Sequence, residues 1–204
     1  MFDWMLPEKH AIAILKKDHD VVKDLFEKFE KAEATAQKEK IISKALHELK
    51  IHAAIEEEIF YPAVRKHVET DMMNEADEEH HVARVLIAEL DSGRRDNDHR
   101  DAKFTVLAEN VRHHIKEEEN ELLPKAKALD IDFIALGQLM LDRKAALEKG
   151  GIPDDAEHAM VAKAKGKIDS PAAKARKTTP TLRKTATKAG SVRTAKRVRA
   201  RASR

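Results

Sequence analysis

HAAIEEEIFYP (residues 52–62) and HHIKEEENELLP (residues 113–124) are two versions of one segment, each with a histidine, a glutamate four positions on, and a proline six positions after that. A helix places residues i and i+4 on one face, so His52 with Glu56, and His114 with Glu118, each aim an imidazole and a carboxylate at one point. One such pair alone is an ordinary solvated contact. Two copies 62 positions apart, both followed by further glutamate and then proline, mark an internal repeat. Two such helices facing each other would hold metal.

Outward from these segments the pattern stays helical, with apolar residues at spacings of three and four and abundant Ala, Glu, Lys and Leu. A first helix is predicted from about Glu8 to Ala32, burying Ile12, Leu15, Val22, Leu25, Phe26 and Phe29. A second runs from about Gln37 to His67, with Pro62 kinking or breaking it near its end. A third spans about Met72 to Leu90 and stops at Ser92-Gly93, and a fourth, containing Pro124, spans about His99 to Lys127. Short polar links between long amphipathic helices predict an all-α, antiparallel up-and-down four-helix bundle. The stretch 131–149 reads as a shorter fifth helix, ended by Gly150-Gly151 and Pro153, that caps or brackets the bundle.

The repeat identifies further candidate ligands. The first helix carries His19, followed by Val22, Leu25, Phe26 and Phe29; the third gives the same stripe from His80, with Ala83, Leu86, Ile87 and Leu90. Strict counting selects His81, whose following positions make no core stripe, so His80 is preferred and His81 is the alternative. His114 is favoured over His113 by the proline register, and His10, His47, His67, His99, His113 and His158 read as surface residues.

The resulting set is His19, His52, Glu56, His80, His114 and Glu118. Four imidazoles and two carboxylates suit a pair of iron or manganese ions, because a carboxylate can bridge two cations and screen their repulsion. Six protein ligands leave coordination positions open, which points to binding or activation of dioxygen, peroxide or nitric oxide. Glu57 and Glu119, next to the glutamate ligands, are candidates to orient imidazoles. Tyr61, the only tyrosine, follows Glu56 by five positions, where its hydroxyl could reach the site; the other repeat has Leu123 there.

Composition bounds the rest. The 204 residues contain no cysteine, which excludes disulfides, zinc-thiolate sites and thiol catalysis. The start, MFDWMLPEKH, has neither a basic nor an apolar leader segment, and no apolar run is long enough to span a bilayer, so a cytoplasmic protein without membrane contact is expected. Residues 163–204 carry 15 Lys/Arg and one acid, a net +14, leaving 24 Lys/Arg and 36 acids, a net −12, for residues 1–162. From Gly150 on, large apolar residues almost vanish, so residues 151–204 are expected to form a disordered basic tail beside a bundle domain of residues 1–150. Lys and Arg interleaved with Ala, Thr and Pro resemble linker-histone tails and imply nonspecific DNA binding through counterion release, with nucleoid association. With no aromatic residue in the tail, base stacking is not expected.

The four-part pattern H…HxxxE…H…HxxxE over roughly residues 8–127 resembles the hemerythrin-like family of HHE cation-binding domains. The resemblance implies that His19, His52, Glu56, His80, His114 and Glu118 are di-iron ligands. Oxygen-carrying hemerythrins have a further histidine four positions after the third-helix ligand and a His-x-x-x-x-Asp pair in the last helix; here Arg84 and Glu118 stand instead. This departure implies the bacterial hemerythrin-like branch linked to peroxide, nitric oxide or iron handling. Two further readings are a di-iron peroxidase, catalase-like or ferroxidase enzyme, and a DNA-associated structural protein whose bundle is stabilised by metal.

Overall fold

The computed structural model of the chain describes residues 6–92 and 99–168, with side chains described up to residue 162. Its helices are α1 (Ala11–Lys31), α2 (Thr35–Ile55), α3 (Tyr61–Val64), α4 (Thr70–Asp91), α5 (Arg100–Glu117), α6 (Leu123–Lys127), α7 (Phe133–Gly150) and α8 (Ala156–Ile168), and the described residues include no strand. α1 pairs with α2 and α4 with α5, and the two hairpins join through α2 with α4 and α1 with α5. Among the described residues no helix is long and apolar enough to cross a membrane.

The antiparallel arrangement is visible in the order of buried residues. α1 passes from Ala11, Ile12 and Leu15 in one apolar core, through His19, to Val22, Phe26 and Phe29 in another. α2 runs the opposite way, from Ile42, Leu46 and Leu49, through His52, to Ile55. α4 repeats the order of α1, with Met73, His80 and Ile87, and α5 repeats that of α2, with Leu107 and Val111 before His114. One histidine per helix therefore falls in a single polar layer between two apolar cores. Phe26, Phe29 and Phe104 anchor one core, with ring centroids 4.6–5.7 Å apart across the α1–α5 contact.

The prolines do not break their helices. Immediately ahead of Pro62 and Pro124 the chain widens into π turns, Glu56–Phe60 and Glu118–Leu122, in which Tyr61 N–H donates to Glu56 O and Leu123 N–H to Glu118 O. In a regular α-helix each proline ring would press on the carbonyl four residues back; the wider turn relieves that contact. Both π turns start on the glutamate of the His-x-x-x-Glu pair.

α7 is the expected bracket, packed on α1 and α2. Asp132 caps its start by accepting from Ile134 N–H and Ala135 N–H, and Gly151 ends it with φ +83°, a left-handed conformation that costs glycine little. Gly137 lets α7 approach the segment before α1: a Cβ there would lie 1.9 Å from the Lys9 carbonyl oxygen. Gly137→Ala is therefore expected to lower unfolding free energy by ~1–3 kcal/mol through overpacking, read as a lower midpoint in thermal denaturation. An unchanged midpoint would show that α7 can shift away without cost.

The stretch expected to open a disordered tail at residue 151 instead carries α8, which starts inside the compact unit Met1–Lys167 and ends one residue past it. Its first turn is held by charge: Glu157 accepts from His81 Nδ1 at 2.8 Å and pairs with Arg84, while Asp155 accepts from His158 Nδ1 at 2.7 Å. The remainder of the proposed tail, residues 169–204, lies outside the described residues.

Candidate metal centre

The layer between the two cores gathers all six expected residues. His19, His52, Glu56, His80, His114 and Glu118 are between 0% and 7% exposed. Their donor atoms form two groups, each within 4.8 Å: His19, His52, Glu56 and Glu118 in one, and Glu56, His80 and His114 in the other. Glu56 belongs to both, with its Oε2 lying 3.2 Å from His52 Nε2 and 3.3 Å from His80 Nε2. Glu118 Oε2 lies 3.1 Å from His19 Nε2. The two carboxylates, which hold matching positions in the sequence repeat, are placed unequally: Glu56 lies between the groups and Glu118 in one.

These contacts are short, yet none of them is a hydrogen bond. His19 Nε2, His52 Nε2 and both oxygens of Glu56 and of Glu118 are buried without a hydrogen-bond partner. Each such orphan atom would cost about 1–3 kcal/mol in a finished core, which is the mark of a centre that a cation completes. Nitrogen and oxygen donors in this ratio fit iron or manganese.

The far sides of the imidazoles are held by a second set of carboxylates. His19 Nδ1 donates to Glu119 Oε1 at 2.9 Å, His80 Nδ1 to Glu57 Oε1 at 2.8 Å, and His114 Nδ1 to Glu79 Oε2 at 2.8 Å. The fourth is looser, with Asp18 Oδ2 at 3.6 Å from His52 Nδ1 and itself gripped by Lys144 of α7. A carboxylate on Nδ1 fixes the ring and leaves the Nε2 lone pair aimed at the centre. Glu57 is backed by Arg84, which also pairs with Glu157 at 3.3 Å, and Lys23 backs Glu119 at 3.2 Å. Glu57 and Glu119 were legible as candidates; Asp18 and Glu79 were not singled out. Their signal is that an acidic residue precedes each of His19 and His80.

His80, not His81, enters the layer, while the His81 side chain is 45% exposed and turned to Glu157. His113 is likewise outside, 60% exposed. Two histidines expected at the surface are tied down instead: His10 accepts from Ile12 N–H and stacks on Phe133, and His158 pairs with Asp155 and Asp91. The Tyr61 hydroxyl reaches the centre, 3.2 Å from His80 Nε2 and 3.5 Å from His114 Nε2. The π turn makes this possible, because its i to i+5 bonding brings Tyr61 round under Glu56.

Protonation follows the charges. Burial opposes a charged His52, but the Glu56 and Asp18 carboxylates outweigh it and hold its pKa at about 10 without metal. Burial likewise opposes a charged His80, and Glu56 and Glu57 raise it to about 9. Burial, reinforced by the Glu56 charge, pushes the Tyr61 hydroxyl well above its ordinary range, so it remains an O–H donor.

The family model described as the hemerythrin HHE cation binding domain matches residues 10–126, more than half of the chain. The chain belongs to this family. A crystal structure of a hemerythrin HHE cation binding domain-containing protein from Mycobacterium kansasii is similar in fold: TM-score 0.58 and 24% identity, covering 74% of this chain and 98% of that one. No curated protein matches the chain. Arg84 stands four positions after His80 and braces Glu57.

Proposed function

We propose that this HHE domain holds two iron ions, manganese being the alternative metal, and that the pair reacts with dioxygen, peroxide or nitric oxide in sensing, detoxification or iron handling. The observation that carries the reading is the set of buried donor atoms, from His19, His52, Glu56 and Glu118, that converge without hydrogen-bond partners. One ion would be held by His19, His52, Glu56 and Glu118 and the other by Glu56, His80 and His114. Bound iron supplies one-electron redox chemistry toward small oxidants.

The chain's own residues restrict what can reach that chemistry. A cavity of about 40 Å³ touches all four imidazoles and is otherwise lined mainly by Val22, Leu49, Ile87, Val111 and Ile115. Since one water needs roughly 10–15 Å³, the space suits a diatomic or peroxide molecule and excludes an organic substrate. The Tyr61 O–H, kept protonated, is a hydrogen-bond donor on the Glu56, His80 and His114 side; Leu123 gives the other half no counterpart. Apolar walls keep bulk water from the imidazoles.

The test is visible absorption of the iron-loaded protein before and after addition of oxygen, hydrogen peroxide or nitric oxide. A spectral response to at least one, lost in His52→Ala, is expected. Rapid turnover of peroxide or ferrous ion would assign a di-iron peroxidase, catalase-like or ferroxidase enzyme. No response to any of the three would overturn the reading and leave a metal-stabilised structural protein.

We further propose that the basic C-terminal segment tethers the domain to DNA without sequence preference. Residues 163–204 carry a net +14 while the rest of the chain is acidic, so the bundle itself is repelled by a duplex and the tail attracted. A chain ending at Ile168 keeps α8 and is expected to lose gel retardation of duplex DNA while retaining its metal. Retardation equal to that of the full chain would remove the tail from the account.

A further inference from the structure

A second cavity, of about 280 Å³, opens between α4 on one side and α5, the second π turn and α6 on the other. Six glutamates line it: Glu69, Glu75, Glu79, Glu117, Glu118 and Glu121. Its one lysine, Lys125, is paired with Glu69 at 3.0 Å. At its inner end the cavity touches His114 and Glu118, and both Glu118 oxygens are buried without a hydrogen-bond partner. Toward solvent, Glu79, His113 and Glu117 offer three ligand atoms within 4.8 Å of one another. His113 Nε2 lies 3.2 Å from Glu117 Oε1 and 3.7 Å from Glu79 Oε1, while Glu79 Oε2 accepts from the buried His114. Glu79 thus touches both the outer triad and the inner centre.

We propose that this acidic cleft is the route by which divalent transition-metal ions reach the buried centre, with Glu79, His113 and Glu117 as the first docking point. The inference rests on the metal-binding reading above and adds to it a path and a separate outer site. A concave surface of one charge sign concentrates field lines and raises the local concentration of counter-ions. One imidazole and two carboxylates at the mouth suit a partly hydrated divalent ion, which can then exchange onto the unpartnered Glu118 carboxylate. The route differs from the apolar cavity of about 40 Å³, whose walls favour an uncharged guest. Both cavities touch Glu79 and His114, so cation and small guest would meet at the centre through differently charged linings.

The test is stopped-flow loading of the metal-free full-length protein with Co(II), following the growth of visible absorption. Glu75→Gln, Glu117→Gln and Glu121→Gln together are expected to slow loading by about tenfold at low salt, with the difference shrinking as salt screens the field. The final Co(II) retained by the buried centre after exchange with a weak chelator should stay at the wild-type value, because none of the three is among the six inner donors, whereas ion held at the outer triad is removed. A control that removes three exposed glutamates elsewhere, Glu27→Gln, Glu33→Gln and Glu109→Gln, should load at the wild-type rate. Wild-type kinetics in the cleft variant, or equal slowing in the control, would overturn the route while leaving the centre in place. Wild-type protein that takes up no Co(II) at all would sink the metal reading, and this route with it.

Discussion

Glu56→Ala is expected to empty both metal positions, whereas Glu118→Ala is expected to empty one. The prediction comes from the unequal placement of two residues that occupy matching positions in the sequence repeat. Glu56 Oε2 stands within 3.3 Å of imidazoles from both groups, and its loss removes a shared donor and the negative charge that would lie between two cations. Glu118 belongs to the group with His19, His52 and Glu56 and not to the other, so His80, His114 and Glu56 survive its removal as a three-donor set. Elemental analysis after reconstitution should give about two metals per chain for wild type, about one for Glu118→Ala and about none for Glu56→Ala. Glu56→Gln, which keeps volume and removes charge, separates ligand loss from a packing defect, and circular dichroism reports whether each variant folds. Two metals retained by Glu56→Ala would refute the shared position.

Metal binding is expected to raise stability strongly, and the gain should grow with pH. A ligand that binds only the folded chain adds ~4 kcal/mol per site at a free concentration a thousand times its Kd. That corresponds to a rise in Tm on the order of 10 °C for a chain of this size. Without metal, His52 and His80 have folded pKa values of about 10 and about 9, above the ordinary 6.5. Their contribution to apo stability is complete below about pH 6.5 and is lost as pH rises through those values. Metal requires the neutral imidazole, so proton competition weakens over the same interval. The Tm difference between Mn(II)-loaded and metal-free protein should therefore widen from pH 6 to pH 8.5. A gap that is constant or narrowing would show that the imidazoles are not the ligands.

Much of the centre is legible in the sequence because the chemistry is periodic. A metal site needs several donors at one depth in the bundle, and on antiparallel helices that depth recurs at a fixed position between two apolar stripes. His19 sits between Leu15 and Val22, and His80 between Ala76 and Ala83, so the stripes themselves picked His80 over His81. The residues that escaped notice act through geometry that no spacing rule contains. Asp18 and Glu79 precede their own helix's histidine by one position and reach a different helix's ring, a diagonal contact visible only once the bundle is assembled. The π turns are encoded by proline, but a proline predicts a kink as readily as a widened turn; the turn is what carries Tyr61 into the site.

The helix α8 was obscured for a related reason. Residues 156–168 are rich in Ala and Lys and short of large apolar side chains, a composition shared with the segment that follows. What holds the start of α8 is Glu157 on His81 and Arg84, a polar anchorage that hydrophobic patterning does not register. The same anchorage leads through Arg84 and Glu57 to His80 Nδ1, so the helix beyond the expected domain boundary is electrostatically connected to the centre.

Anomalous diffraction from crystals of the iron-loaded protein, collected at the iron edge, locates each bound ion. Two anomalous peaks are expected inside the bundle, one bonded to His19 and His52 and one to His80 and His114, with Glu56 between them. A single internal peak, or peaks only at surface carboxylates, would contradict that arrangement.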